Sequence, residues 1–322
     1  MFGIDGNHDT HRFGFFLVPD FSMMAFTSAV EPLRLANRVS GTTLYSGATY
    51  SLDGNPVSAS NGVEINVDGD INSAQNLHTV IVCAGIDVHL HCDKRLISRL
   101  RHMASHGTAI GGVCTASHIL AKAGLLDGCS CTIHWENLTA LAEEFPDLEV
   151  TSELFEIHRN RFTCAGGTAA LDMMLHWISL FRGNKLAADV ADEMLHHRIR
   201  DGSEKQRMEL RNRLGVSHPK LLAVVSLMEE NLEEPMTCSG LAKQVGLSTR
   251  QLERLFQKYM HNAPTRYYLE LRLSRARFLL RQTSLPVLSI ALAAGFVSAS
   301  HFSKCYREFY GRTPSEERYT VS

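Results

Sequence analysis

Cys114 lies where the apolar run TAIGGV (108–113) gives way to TASHILAKAGLL (115–126). The first stretch reads as a strand and the second as a helix, so Cys114 falls on the sharp turn between them. Nucleophile elbows set their reactive side chain in this place, against the open N-terminus of a helix. A thiol there can serve as a nucleophile, as a redox sensor or as the floor of a binding pocket. The amides of Thr115 and Ala116, with Gly85, would then offer an anion site. His134 and Trp135 stand some twenty residues on, and Phe21 follows an earlier apolar run. An imidazole can act as a base, line a pocket or sit in a core, and aromatic rings can cage a cation or pack.

These residues need a scaffold. Short apolar runs at 13–18, 79–83, 108–113 and 161–164 predict strands. Helical periodicity predicts helices near 23–37, 94–105, 115–126 and 168–181. Such alternation implies an α/β domain with a parallel sheet covered on both faces. Ligands bind beyond the carboxyl ends of the strands in these sheets, and Gly85, Cys114 and Gly166 all fall at such ends. A polar, charge-rich segment at 186–214 reads as a helix leading out of this domain. His89, His91, His196 and His197 read as residues of solvated faces. With no carboxylate at ligand spacing, no metal site is expected there.

The 322 residues allow two domains with sizeable cores. The net charge of −2 hides an imbalance: residues 1–217 carry −7 and residues 218–322 carry +5. A basic C-terminal third on an acidic body suggests a polyanion-binding module joined to something else. The eight cysteines show neither a CxxC pair nor zinc-ligand spacing, and they read as reduced thiols. The polar opening MFGIDGNHDTHR is unlike a signal peptide, and no apolar run approaches 18 residues. A cytoplasmic protein without membrane association, cofactor or metal is expected.

The C-terminal third contains a repeat. Ala242 corresponds to Ala291, 49 residues on; Ser248 to Ser298, Leu252 to Phe302, Phe256 to Tyr306 and Pro264 to Pro314 follow at 50. Each unit is a short helix, a glycine turn and a longer helix opened by a serine cap. Its apolar residues fall at i, i+3, i+4 and i+7, which is helix-turn-helix patterning. Between the units a helix near 264–281 carries Arg266, Arg272, Arg275, Arg277 and Arg281, which suit phosphate contacts or surface ion pairs.

GGVCTASHILAKAGLLDG, CTIHWEN and TCAGGTAALDMMLHWI resemble the class I glutamine amidotransferase-like fold, in the PfpI-type branch fused to AraC-type regulators, over about 11–185. GFVSASHFSKCYREFYGRTP (295–314) resembles the AraC/XylS family DNA-binding signature, over about 217–319. The implied organisation is a ligand-sensing domain at 11–185, a linker helix at 186–217 and a double helix-turn-helix domain at 218–322. The resemblance implies DNA contacts from Arg250, Glu253 and Arg254 in the first unit and from Ala299, Ser300, Ser303 and Lys304 in the second. Arg254 and Lys304 suit guanine edges. In the wider superfamily a histidine some twenty residues after the thiol assists it, and His134 matches that position. The superfamily's proteases and glyoxalases also carry an acid near the thiol. Here Ala25 stands at that position.

The narrower resemblance, in SMMAFTSAVEPLRLANR and LERLFQKY, is to regulators of glycine betaine, carnitine or arginine catabolism. It implies a transcriptional regulator, usually an activator, that senses a small ammonium-carboxylate effector. It also implies a homodimer formed through the N-terminal domain, and RNA polymerase as a partner. Phe21, Gly85, Cys114, Thr115, His134 and Trp135 are then the candidate ligand residues, with no catalytic residue. The rival reading is a cysteine hydrolase or glyoxalase fused to a DNA-binding domain.

Overall fold

Alternate residues of the first strand belong to two different cores. Phe13, Phe15 and Leu17 join one cluster, and Phe16 and Val18 join another. A strand buried on both faces this way belongs inside a covered parallel sheet. The computed structural model describes residues 10–207, 209–283 and 285–319, and the chain divides into two units, Met1–Gln206 and Arg207–Ser322.

The sheet of the first unit is built from β1 (His11–Leu17), β2 (Tyr45–Ser51), β3 (Gly69–Asp70), β4 (Thr79–Cys83), β5 (Ala109–Val113), β6 (Phe155–His158) and β7 (Arg161–Cys164). Its order is β6-β7-β5-β4-β1-β2-β3, parallel except for the β6–β7 pair. On one face lie α1 (Met23–Ser40), α5 (Ala169–Arg182) and α6 (Asn184–Glu193); α2 (Lys94–Ser105) and α3 (Ser117–Lys122) lie on the other. A short α4 (Leu138–Glu144) follows the His134 segment. Val113 pairs with Cys83 on one side and Cys164 on the other, so three strands end level beneath the elbow.

The expected helix over 186–214 does not form. Only its start, α6, and its last turn, 210–214, are helical, and Ala187, Val190 and Ala191 of α6 are buried in the first unit's core. At Leu195 the backbone turns to φ 53°. Residues 196–206 then lie as a strap on the first unit. Asp172 holds that strap, and it also binds His196, which is therefore no surface histidine.

The second unit contains α7 (Leu210–Leu214), α8 (Pro219–Glu230), α9 (Cys238–Gln244), α10 (Thr249–Met260), α11 (Pro264–Gln282), α12 (Val287–Ala293), α13 (Ala299–Tyr310) and α14 (Pro314–Tyr319). Ser248 opens α10 with a capping box to Gln251, and Ser298 opens α13 by accepting from the His301 amide. Leu252 and Phe256 pack against Leu221, Val225 and Leu241 in one core. In the second repeat Phe302 lies between the rings of Phe296 and Tyr306, at 5.1 and 5.5 Å.

Candidate functional site

The elbow is held by main chain on three sides. Cys114 has φ 62°, a costly conformation for a non-glycine residue. Its amide donates to Cys164 O at 3.1 Å, and its carbonyl accepts from the His134 amide at 3.2 Å. Gly166, at φ 89°, lies so close that an added Cβ would stand 2.7 Å from Cys114 Cβ. Across the turn Thr115 Oγ1 donates to Gly85 O at 2.7 Å. Gly85 is needed there because a Cβ would stand 2.1 Å from Asp20 O.

The thiol is only 8% exposed. Burial, with Cys164 nearby, pushes its pKa up to about 12, against a smaller opposing pull from the Thr115 amide. The elbow therefore holds a protonated thiol at neutral pH. No carboxylate stands at the Ala25 position: Ala25 is fully buried, and its amide donates to the Ser22 hydroxyl. Burial lowers the His134 pKa, with Glu136 pulling the other way, so its ring is neutral at pH 7. That ring lies 3.6 Å from the Glu136 carboxylate and 5.6 Å, centroid to centroid, from the Trp135 indole. Trp135 is 39% exposed.

Two expectations change here. Phe21 is fully buried with its ring against Phe26, because its backbone bridges Gly85 and Ala59 and turns the side chain inward. It is core and not a pocket wall. The Ala116 amide is bonded to Val113 O at 3.3 Å, which removes one of the three expected anion donors.

Sequence reasoning missed a cavity of about 450 Å³ beyond the ends of β1 and β2, lined by Phe16, Asp20, Tyr50, Asp53, His91 and Asp93 among others. Its size suits a small molecule. Its carboxylates are already engaged: Asp53 by Asn55, Asp93 by Arg95, and Asp20 3.7 Å from His91. The only sequence signal for it was the PD pair after β1.

In the second unit Arg250, Glu253 and Arg254 are exposed on α10. On α13 Ser300 and Lys304 are exposed, and Ala299 and Ser303 are half-buried. Lys304 makes only a loose pair with Glu308, at 4.0 Å. Most arginines of α11 are engaged within the unit. Arg272 donates to Ala294 O and Gly295 O and lies 4.2 Å over the Phe296 ring. Arg277 and Arg281 converge on the fully buried Glu317, at 3.0 and 2.5 Å. Burial alone would raise the Glu317 pKa, but these hydrogen bonds hold it below the usual carboxylate value. Among the described residues no cluster is placed to hold a metal, and no helix is long and apolar enough to cross a membrane.

A sheet ending in a protonated elbow thiol, joined to two helix-turn-helix units, defines a regulator with an enzyme-like first domain. Residues 14–180 match the DJ-1/PfpI family and residues 241–319 match a helix-turn-helix domain. The chain is 48% identical to the HTH-type transcriptional regulator GbdR of Pseudomonas aeruginosa, over 97% of this chain and 85% of that one. It is 44% identical to the HTH-type transcriptional regulator CdhR of the same species, over 95% of this chain and 91% of that one. A crystal structure of an AraC family transcriptional regulator from Pseudomonas putida is 31% identical, with a TM-score of 0.53. It covers 57% of this chain and 99% of that one. The chain belongs to the AraC-type HTH transcriptional regulators that carry a DJ-1/PfpI domain. DNA is its partner.

Proposed function

We propose that the first unit senses a small ammonium compound such as a betaine, carnitine or an amino acid, binds it without turning it over, and thereby controls transcription. The observation that carries this reading is the pairing of a protonated thiol with a half-open indole beside a carboxylate. Cys114 lacks the ionised form that a nucleophile needs. The Trp135 face and the Glu136 carboxylate suit a cationic headgroup. Gly85, Cys114 and Thr115 form the floor, and His134 a neutral wall. The enzyme alternative has no proton acceptor at Ala25 in its favour.

The second unit reads DNA through Arg250, Glu253 and Arg254 in one major groove and Ala299, Ser300, Ser303 and Lys304 in the next, about one helical turn apart. The protein acts as a homodimer through its first unit, activates with RNA polymerase, and works in the cytoplasm. The eight free thiols fit a reducing compartment. A thermal-shift screen of the full chain against betaines, carnitine and amino acids tests the reading. At least one ammonium compound should raise the melting temperature, and Trp135→Ala should shrink the shift at the same concentration. If none does, the first unit is not such a sensor.

A further inference from the structure

Main-chain bonds from Leu154 N to Gly202 O and Glu204 O, with a bridge between Glu153 and Lys205, hold the middle of the strap, and two side-chain clasps of unlike quality hold its flanks. At the first, the fully buried Asp172 accepts from the Arg200 amide at 2.8 Å, from Arg200 Nε and Nη2 at 2.9 and 2.6 Å, and bonds His196 Nε2 at 2.8 Å. Arg200 Nη2 also donates to Thr168 Oγ1 at 2.7 Å. Both guanidinium donors meet Oδ2, while the Arg200 amide and His196 meet Oδ1, which makes a charge-assisted clasp of the stronger kind. At the second, Gln206 Nε2 faces three acceptors: Thr132 Oγ1 at 2.8 Å, Glu153 O at 2.9 Å and Ile133 O at 3.0 Å. Two N–H bonds serve these three acceptors, and among the described residues the buried Gln206 Oε1 meets no donor. Such a group carries an uncompensated desolvation cost. The Gln206 clasp is therefore the one that yields first.

Both clasps grip the walls of the elbow. Thr168 is two residues past Gly166, which touches Cys114. Thr132 and Ile133 run straight into His134, whose amide is bonded to Cys114 O. Gln206 is the last residue of the first unit, so its release would free the chain where the DNA-binding unit begins.

We propose that residues 196–206 are a latch whose Gln206 end and the Cys114 elbow share one equilibrium: opening the elbow unfastens Gln206, while Arg200 on Asp172 stays closed as the hinge. This rests on the elbow being the effector seat. By linkage, unfastening the latch must in turn loosen the elbow.

The test uses the full chain, with iodoacetamide labelling of the Cys114 peptide followed by mass spectrometry and, in parallel, limited trypsin cleavage. Gln206→Glu keeps the size of the side chain but sets a carboxylate against three oxygen acceptors. It should raise the Cys114 labelling rate several-fold and speed trypsin cleavage after Lys205 and Arg207, while cleavage after Arg198 keeps its wild-type rate. Arg200→Ala should speed cleavage after Arg198 as well. Arg34→Ala, on a surface ion pair with Glu31, is the control and should change neither readout. Faster cleavage at Lys205 with an unchanged Cys114 rate would overturn the coupling and leave a merely structural strap. Unchanged cleavage in Gln206→Glu would overturn the weak clasp. Neither readout uses an effector, so failure of the thermal-shift screen and failure of the latch are separate results.

Discussion

The His134 amide donates to the carbonyl oxygen of Cys114 at 3.2 Å, while the His134 ring faces the Glu136 carboxylate 3.6 Å away. The two residues are tied through the main chain, and the ring pairs elsewhere. The same two residue types that assist each other in an enzyme are here joined by a main-chain bond alone. Their spacing in sequence was legible; the direction of the ring depends on Glu136 and on the burial around it.

With a thiol pKa of about 12, roughly one Cys114 in 10⁴ is ionised at pH 8. Iodoacetamide labelling of the Cys114 peptide should be slow at pH 7 and climb steadily to pH 10 without a plateau. A plateau below pH 8 would mean an activated thiolate. Cys114→Ser should keep the transcriptional response to effector largely intact.

Trp135→Ala should weaken the effector response by about 1–2 kcal/mol, a shift of roughly 5- to 30-fold in half-maximal concentration. Operator affinity without effector should not move. A dose–response curve from a reporter gene checks both.

Arg254→Ala and Lys304→Ala should each cost about 1–3 kcal/mol of operator affinity and relax base preference at one position each. Fluorescence anisotropy on operators with single base changes measures this. Unchanged binding in both variants would remove the base-reading assignment.

His118 is 5% exposed, and burial, with Lys122 beside it, lowers its pKa to about 4 although Glu144 lies 3.7 Å away. The unfolded chain takes up this proton at the ordinary value of 6.5. Folding therefore loses stability as pH falls from 6.5 towards 4, by up to about 3 kcal/mol from this group. Urea midpoints of the wild type and His118→Gln across that range should converge on the acid side if the account holds.

Glu317→Gln leaves Arg277 and Arg281 facing a neutral partner, with Arg312 3.6 Å away. Removing one member of a buried pair costs about 3–5 kcal/mol, and the partial exposure of these arginines puts the expected loss at the lower end. Because the folded pKa of Glu317 is lowered, its contribution is complete above the ordinary carboxylate value and fades as pH falls below it. Thermal melts of the wild type and the variant should differ at pH 7 and approach each other below pH 4.

Periodic patterns carried most of the fold. The strands 79–83 and 161–164 and the helix 94–105 form over those residues, because short apolar runs and a 3.6-residue stripe leave few alternatives. The repeat fixed both helix-turn-helix units for the same reason. The strap was illegible, since its polar, charge-rich sequence resembles an exposed helix. What unwinds it is Asp172, 28 residues before Arg200. Among the arginines of α11, Arg266 makes the surface ion pair its spacing allowed, with Glu270, whereas the buried partner of Arg281 and Arg277, Glu317, lies 36 and 40 residues away and was out of reach of any local pattern. Phe21 escaped because backbone bridges, not hydrophobicity, turn it inward.

The central claim is that the first unit binds a small ammonium compound and leaves it unchanged while DNA affinity or transcription responds. The most direct measurement is in vitro transcription from a target promoter with each candidate effector, followed by proton NMR of the recovered compound. The account expects one compound to change transcript yield and to be recovered intact at its starting concentration. Consumption of that compound in step with protein concentration, or no response to any ammonium compound, would contradict it.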